Sequence, residues 1–313
     1  MRRILYNTMR TSNVVEPYRS GHNGAHSKCV CPHGHEGSNP SVCAFRHLSG
    51  CLFTSGGGNM KKKMTGAAIG LLLLVVIATA VVYIPKWYET IQKQKLKEIS
   101  GKVVVFGDSI WGLDKGPQGI AAQLEELTSL QVTNYCLPGS TATRVEDSLQ
   151  AKDSMVSMLL YNEDKKSNEI REKVREADYV FIEHAANDYF LGIPVSGEEN
   201  SFEDSLRTSI AAVRDLNPSA RIVLLAPTEC YLIPLDAFAT ENDFGGGTLA
   251  DYSQLIKTVA TEEQLLCIDM IHAWKLTREN YKEYLVDGAH ITKEARLIYS
   301  EYLAKQLYRH FYK

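Results

Sequence analysis

Short apolar runs alternate with longer amphipathic stretches from residue 103 to the end of the chain. Each run is four to six residues long, rich in β-branched and aromatic side chains, and apolar at nearly every position. Apolarity of this kind is typical of parallel strands that are buried on both faces. The pattern predicts five strands, at 103–106, 132–137, 179–184, 221–226 and 265–270.

The stretches between these runs have helical character. They predict helices at 118–130, 142–160, 168–176, 203–216 and 248–263, followed by a long terminal helix at 292–311. Five successive strand-and-helix units predict an α/β domain, a three-layer α/β/α sandwich in which a parallel sheet lies between two layers of helices. In such a fold, ligands bind beyond the carboxyl ends of the strands.

One long apolar segment precedes this domain. Residues 67–84 contain no charged side chain and directly follow a group of lysines at 61–63. With two flanking residues the segment reaches the roughly twenty residues that a helix needs to cross a bilayer. A buried core helix is the alternative, but such a helix seldom runs this long without a polar face. We therefore predict a transmembrane helix that ends at Pro85 and associates with the membrane through residues 67–84.

The lysines lie directly before the apolar segment, as in a signal sequence whose N-terminal region stays in the cytoplasm. This places the α/β domain outside the cytoplasm, anchored to a cell membrane by a single span. Ala78 to Ala80 resembles a signal cleavage site, but four more apolar residues follow it, which favours a retained anchor. The predicted organisation is a signal anchor at 60–85, a juxtamembrane stalk at 86–100 and the α/β domain at 101–313.

Residues 1–59 carry four of the seven cysteines and five of the nine histidines. A zinc site is one interpretation, but one residue separates Cys29 from Cys31, whereas paired zinc ligands are usually two to four residues apart. The segment also lacks the apolar periodicity from which a core is built. Met60 opens a sequence typical of a signal anchor, and the glycines before it would be encoded by G-rich codons, where a bacterial ribosome-binding site is expected. We predict a disordered or misassigned leader at 1–59 and a bacterial protein that starts at Met60, with no metal site.

Charge is unevenly distributed along the chain. The formal net charge of −3 combines +4 for residues 1–59, +6 for residues 60–102 and −13 for residues 103–313. An α/β domain with this excess of negative charge repels phosphate backbones, so the sequence predicts no nucleic-acid partner. The sequence does not indicate an oligomeric state.

Four short motifs lie where the predicted strands end. Gly107-Asp108-Ser109 follows the first strand, LPGST at 137–141 follows the second, Ala185-Ala186-Asn187-Asp188 follows the third, and Asp287-Gly288-Ala289-His290 precedes the terminal helix. Each motif alone is weak. Their order and their position at the ends of strands make the set specific.

In these residues the chain resembles the SGNH hydrolases, the GDSL-like esterases and lipases, over residues 101–313. The resemblance implies a flavodoxin-like five-stranded parallel sheet, a serine nucleophile, and a histidine base three residues after its aspartate. It also implies an oxyanion hole drawn from three of the motifs. We predict no cofactor. Ala185 departs from the family pattern G-x-N-D, since it adds a methyl group that can alter the packing of the turn carrying Asn187.

Physical reasoning assigns the same roles to the residues. A serine hydroxyl is a poor nucleophile, so Ser109 needs a base, which His290 provides, while Asp287 orients the imidazole and stabilises its protonated form. The backbone N–H groups of Ser109 and Gly139 and the side-chain amide of Asn187 are the candidate donors to the oxyanion. Asp108 and Asp188 are interpreted as supporting or capping residues.

These residues predict a membrane-anchored serine esterase that removes short acyl groups, such as acetyl, from a small ester or an O-acylated cell-surface glycan. Two alternatives stay open: an acyltransferase that modifies envelope polysaccharide, and a catalytically silent binding domain with the same fold. The loops at 191–201 and 228–248 are expected to border the crevice, where Tyr231, Leu232 and Phe238 either line an acyl pocket or pack at the surface.

Three cysteines of the α/β domain lie in or next to predicted strands. They are expected to be buried free thiols: Cys136, Cys230 and Cys267.

Overall fold

The computed structural model describes residues 66–145, 153–197 and 199–313. Two compact units divide the chain, with a boundary between Pro85 and Lys86. The strands are β1 (Ser100–Gly107), β2 (Ser129–Asn134), β3 (Tyr179–Glu183), β4 (Arg221–Ala226), β5 (Tyr231–Leu232), β6 (Ala237–Phe238) and β7 (Leu266–Asp269).

The helices cover most of the remaining described residues. They are α1 (Gly66–Leu96), α2 (Ser109–Gly112), α3 (Ile120–Leu127), α4 (Lys165–Arg175), α5 (Ala186–Leu191), α6 (Phe202–Leu216), α7 (Leu249–Glu262), α8 (Tyr281–Tyr284) and α9 (Lys293–Phe311).

Five strands form one parallel sheet in the order β2-β1-β3-β4-β7, while β5 and β6 form a separate antiparallel pair. Side chains of β1 alternate between the two faces: Val103 and Val105 belong to one buried cluster, and Val104 and Phe106 to the other. A strand buried on both faces needs apolar side chains at every position, which explains the continuous apolar runs.

Helices cover both faces of the sheet. On one face α3 and α9 contribute Ile120, Leu124, Tyr299 and Leu303 to the core, and on the other face α4, α6 and α7 pack in the same way. This arrangement confirms the predicted three-layer sandwich. It also brings the carboxyl ends of β1, β3 and β4 to one edge, where the candidate residues lie.

Helix α1 corrects the prediction that Pro85 ends the apolar helix. The helix passes through Pro85 and continues to Leu96. Proline removes one backbone hydrogen bond, but the residues after it, such as Glu89 and Gln92, favour helix and extend it. The α/β unit also begins earlier than the expected stalk implies, because Leu96 and Ile99 are already buried in its core.

The stretch Leu71–Leu96 of this helix is long and apolar enough to cross a membrane. Its most apolar window has a mean hydropathy of 1.9, and none of that window is buried. Signal sequences share the same length and composition.

Two predicted elements differ from the structure. Strand β2 covers Ser129–Asn134 instead of 132–137, because its first residues lie at the sheet edge and do not need to be apolar. The predicted helix at 142–160 is confirmed only in part: residues 142–145 are not helical, whereas residues 155–156 are helical and lead into a π-helical turn at Ser157–Tyr161. Residues 146–152 of that prediction lie outside the described residues.

The cysteines of the α/β unit are free thiols, as expected. Cys136 and Cys230 are buried, and Cys267 is partly buried. Burial raises the pKa of each thiol, so these groups stay protonated at neutral pH.

Candidate active site

Ser109 is the first residue of α2, directly after β1. The preceding residue, Asp108, caps this short helix, since its Oδ1 accepts a hydrogen bond of 2.9 Å from the backbone N–H of Ile110. The sharp change from strand to helix holds the serine hydroxyl beyond the carboxyl edge of the sheet.

His290 and Asp287 reach Ser109 from the far end of the chain. The Nε2 atom of His290 lies 2.9 Å from Oγ of Ser109, and its Nδ1 lies 2.7 Å from Oδ2 of Asp287. The backbone N–H groups of Ala289 and His290 donate to Oδ1 of Asp287, at 3.1 and 2.9 Å. The aspartate therefore holds both the imidazole ring and the turn that carries it.

Asp287 has a lower pKa than the other two aspartates of the motifs, Asp108 and Asp188. Burial disfavours its ionised form, but the hydrogen bond and positive charge of His290, with the backbone donors, lower the pKa of Asp287 to about 2. The aspartate is therefore ionised throughout the neutral range.

Gly288 allows this turn to pack against β5. The backbone N–H of Tyr231 donates to the carbonyl of Gly288 at 2.7 Å, and a Cβ on Gly288 would lie 2.1 Å from the carbonyl oxygen of Tyr231. With a φ of 90° as well, the position accepts only glycine without strain.

The glycine motif and the A-A-N-D motif are joined by hydrogen bonds. Asn187, in the first turn of α5, donates from Nδ2 to the carbonyl of Ser140 at 2.8 Å. The carboxylate of Asp188 accepts from the backbone N–H groups of Ala142 and Thr143, at 3.0 and 3.1 Å. Burial raises the pKa of Asp188 to about 6, although these two donors oppose that shift. Asp188 thus fixes the loop that contains Gly139, one of the candidate oxyanion donors.

A small cavity lies between these motifs. Its volume is about 20 Å³, and its walls are mostly apolar. Ser109, Asn187 and His290 all face it, whereas Gly139, which has a φ of 82°, does not line it. The other lining residues are Ile110, Glu183, Ala186, Phe190, Pro227, Thr228, Cys230 and Ala289.

The cavity lining differs from the residues suggested by sequence. Tyr231 and Leu232 are buried in the fold, and Phe238 packs edge-on against Tyr231 with ring centroids 5.4 Å apart. Phe190 and Cys230 face the cavity in their place. Neither residue carries a motif that would have marked it.

Glu183 is a buried acid of the site that the sequence interpretation missed. It is the last residue of β3, its exposed fraction is 3%, and it lines the cavity. The signal in the sequence is its charge inside an otherwise apolar run. The neighbouring His184 is also buried, and burial lowers its pKa to about 3.

A sandwich of this topology, with a serine, a histidine and an aspartate in hydrogen-bond contact, defines the class of α/β serine hydrolases. A sequence model of the GDSL-like lipase/acylhydrolase family matches residues 105–296, more than half of the chain. The chain belongs to this family, the SGNH hydrolases, as its four motifs indicated.

Several solved structures are similar to this chain. One crystal structure is 20% identical with a TM-score of 0.56, and the alignment covers 67% of this chain and 97% of that one. A protein from Lactobacillus plantarum is 16% identical with a TM-score of 0.50, covering 68% and 99%. Est24, a carbohydrate acetylesterase from Sinorhizobium meliloti, is 17% identical with a TM-score of 0.47, covering 67% and 99%. No curated protein sequence matches the chain.

Proposed function

We propose that this protein is a serine esterase that hydrolyses short acyl esters, in particular acetyl esters, through a covalent acyl-enzyme. The observation that carries the proposal is the unbroken chain of contacts from Asp287 through His290 to Ser109. A hydroxyl with a base at 2.9 Å, and a carboxylate that orients that base, is what nucleophilic catalysis by serine requires.

In the first half of the reaction, Oγ of Ser109 attacks the ester carbonyl carbon while Nε2 of His290 takes the hydroxyl proton. The carbonyl oxygen becomes an oxyanion, to which the backbone N–H groups of Ser109 and Gly139 and the Nδ2 group of Asn187 donate. The C–O bond to the alcohol then breaks, and His290 gives its proton to the departing alcohol oxygen.

In the second half, water attacks the acyl carbon on Ser109 while His290 takes one of the water protons. The bond to Oγ breaks, and the proton returns to Ser109 as the carboxylic acid leaves. Asp287 stays ionised and stabilises the imidazolium in both halves, in accord with its low pKa.

The cavity beside Ser109 supports a short acyl group. A volume of about 20 Å³ admits roughly one water-sized group. A methyl group fits that description, whereas a longer chain needs the walls formed by Phe190 and Cys230 to move.

We further propose that α1 anchors the enzyme to a cell membrane and that its catalytic domain lies outside the cytoplasm, where O-acylated surface glycans are candidate substrates. The apolar stretch of α1 and the lysines at 61–63 support this topology. Protease treatment of intact and permeabilised cells tests it. Degradation of the domain before permeabilisation is expected, and protection until then would contradict the topology.

The hydrolase activity is tested with the full chain in detergent, using p-nitrophenyl esters of increasing acyl length and a fluorophosphonate probe. Hydrolysis of the acetyl ester and labelling of the wild type are expected, with both lost in Ser109→Ala. A wild type that neither hydrolyses any ester nor labels would overturn the proposal.

A further inference from the structure

Glu183 lies directly behind the turn that presents Ser109. In the sheet it is in register with Gly107, two residues before the serine. A Cβ placed on Gly107 would come within 2.7 Å of Oε2 of Glu183, so the carboxyl group is packed against the backbone of that turn. Glu183 also lines the cavity that Ser109 faces.

Asp108, the residue after Gly107, is the carboxylate whose charge acts on Glu183. Its backbone N–H interacts with the Glu183 carboxyl group, and its own side chain is only 1% exposed. Oδ1 of Asp108 accepts from Ile110, but Oδ2 of Asp108 and Oε2 of Glu183 are buried oxygens without any hydrogen-bond partner. Burying both of these oxygens without a hydrogen bond destabilises the fold, unless a proton lies between the two carboxyl groups.

Among the described residues, no cation acts on the carboxyl group of Glu183 itself. Burial, and then the charge of Asp108, raise the pKa of Glu183 well above its usual range. Burial likewise raises the pKa of Asp108 to about 6, an effect that the charge of His290 opposes. The ionisable groups that interact electrostatically with Glu183 are all acids: Asp108, Cys136, Cys230 and Tyr299.

We propose that Glu183 is a positioning residue of the esterase reaction, whose neutral carboxyl group shares its proton with Asp108 and so fixes the turn that carries Ser109. This inference rests on the proposed function. A protonated carboxyl group has one O–H to donate, and Oδ2 of Asp108 is the acceptor. The pair then carries a single negative charge, and Oδ1 of Asp108 remains available to cap α2.

The state of the proton is tested by infrared spectroscopy of the full chain in detergent at neutral pH. The wild type is expected to show the carbonyl stretching band of a protonated carboxylic acid that Glu183→Gln lacks. Glu125→Gln is the matched control, because Glu125 also accepts a backbone N–H, from Val132, but is exposed. Identical spectra for the wild type and Glu183→Gln would overturn the proposal.

The effect on catalysis is tested by comparing an amide with an apolar side chain at the same position. Glu183→Gln keeps a donor toward Asp108 and is expected to lower kcat by no more than about threefold, while Glu183→Met lowers kcat by about tenfold or more at little changed KM. Equal activity of the two variants would contradict the shared proton. If circular dichroism shows that Glu183→Met is unfolded, the infrared comparison alone decides.

These outcomes are separable from the proposed function. A wild type without activity or probe labelling removes the esterase proposal, whereas the infrared band reports the proton whether or not a substrate is turned over. An active wild type without that band removes only the role of Glu183.

Discussion

The Nε2 atom of His290 lies 2.9 Å from Oγ of Ser109, although 181 positions separate the two residues in the chain. The serine is fixed by β1 and α2, and the histidine by the turn that packs against β5. Two unconnected parts of the sequence therefore meet at one edge of the sheet, with Asp287 completing the contact at 2.7 Å.

Asp287→Asn is expected to lower kcat by about 10⁴-fold while leaving the fold intact. An amide cannot stabilise the imidazolium that forms when Ser109 attacks, and it can hold the wrong tautomer of His290. Steady-state kinetics and circular dichroism check this. A variant that keeps more than a tenth of the wild-type kcat would show that Asp287 does not act through His290.

Asn187→Ala is expected to lower kcat by about 10²- to 10³-fold with a smaller change in KM, because an oxyanion donor acts mainly in the transition state. Asn217→Ala is the control. Asn217 is also a buried amide donating to backbone carbonyls, but those carbonyls belong to Val174, Arg175 and Ala177, away from the cavity. The control should lose stability and keep its kcat. Equal kcat values for the two variants would remove Asn187 from the oxyanion hole.

Phe190→Ala is expected to shift the preferred substrate from acetyl toward butyryl esters, because it enlarges a cavity of about 20 Å³ at one wall. The measurement is kcat/KM across a series of p-nitrophenyl esters. Phe244→Ala removes a ring that packs against Phe190, with centroids 6.0 Å apart, without lining the cavity. It should keep the acetyl preference. An unchanged profile in Phe190→Ala would show that this wall does not limit acyl length.

The effect of Ala185 in place of the family glycine is also testable. Its φ of 163° is extended backbone that any residue adopts, and its methyl group is buried with an exposed fraction of 1%. Ala185→Gly is therefore expected to leave kcat within about twofold and to destabilise the fold by about 1 kcal/mol, through lost burial and added chain entropy. A large gain in kcat would instead show that the methyl group impairs the wild-type site.

Local pattern was sufficient to predict that the sheet has five strands and to identify the residues of the four motifs. The apolar run at 221–226 became β4 with the same bounds, because a strand buried on both faces leaves its full length visible in the sequence. The motifs were identifiable because parallel strands bring their carboxyl ends to one edge, so residues far apart in the chain are expected together.

The sequence was less informative for features that tertiary contacts determine, such as the bounds of the edge strand and the residues that line the cavity. Edge strand β2 begins with the polar Ser129, so periodicity placed it three residues late. Phe190 lines the cavity from helix α5 and Cys230 from the loop before β5, and no spacing in the chain encodes their meeting. Glu183 belonged to no motif, and its packing against Gly107 shows that it is a buried acid of the site.

His184 is expected to make the fold sensitive to acid. Burial lowers its pKa to about 3 in the folded protein, while an unfolded chain has a histidine pKa of about 6.5. Between these values the unfolded state binds a proton that the folded state does not. The buried imidazole therefore does not change the free energy of unfolding above pH 6.5, and it lowers that free energy progressively as the pH falls toward 3, by at most about 4 to 5 kcal/mol.

Replacing His184 with leucine removes this loss. Because neither ring nitrogen has a hydrogen-bond partner, His184→Leu should be as stable as the wild type at neutral pH or more so. Its Tm should then fall less than that of the wild type between pH 7 and pH 4. His272→Leu is the control, since the His272 side chain is 70% exposed, and it should follow the wild-type curve. Parallel Tm curves for His184→Leu and the wild type would show that the buried imidazole takes up its proton without unfolding, through a water or a rearranged partner in the core.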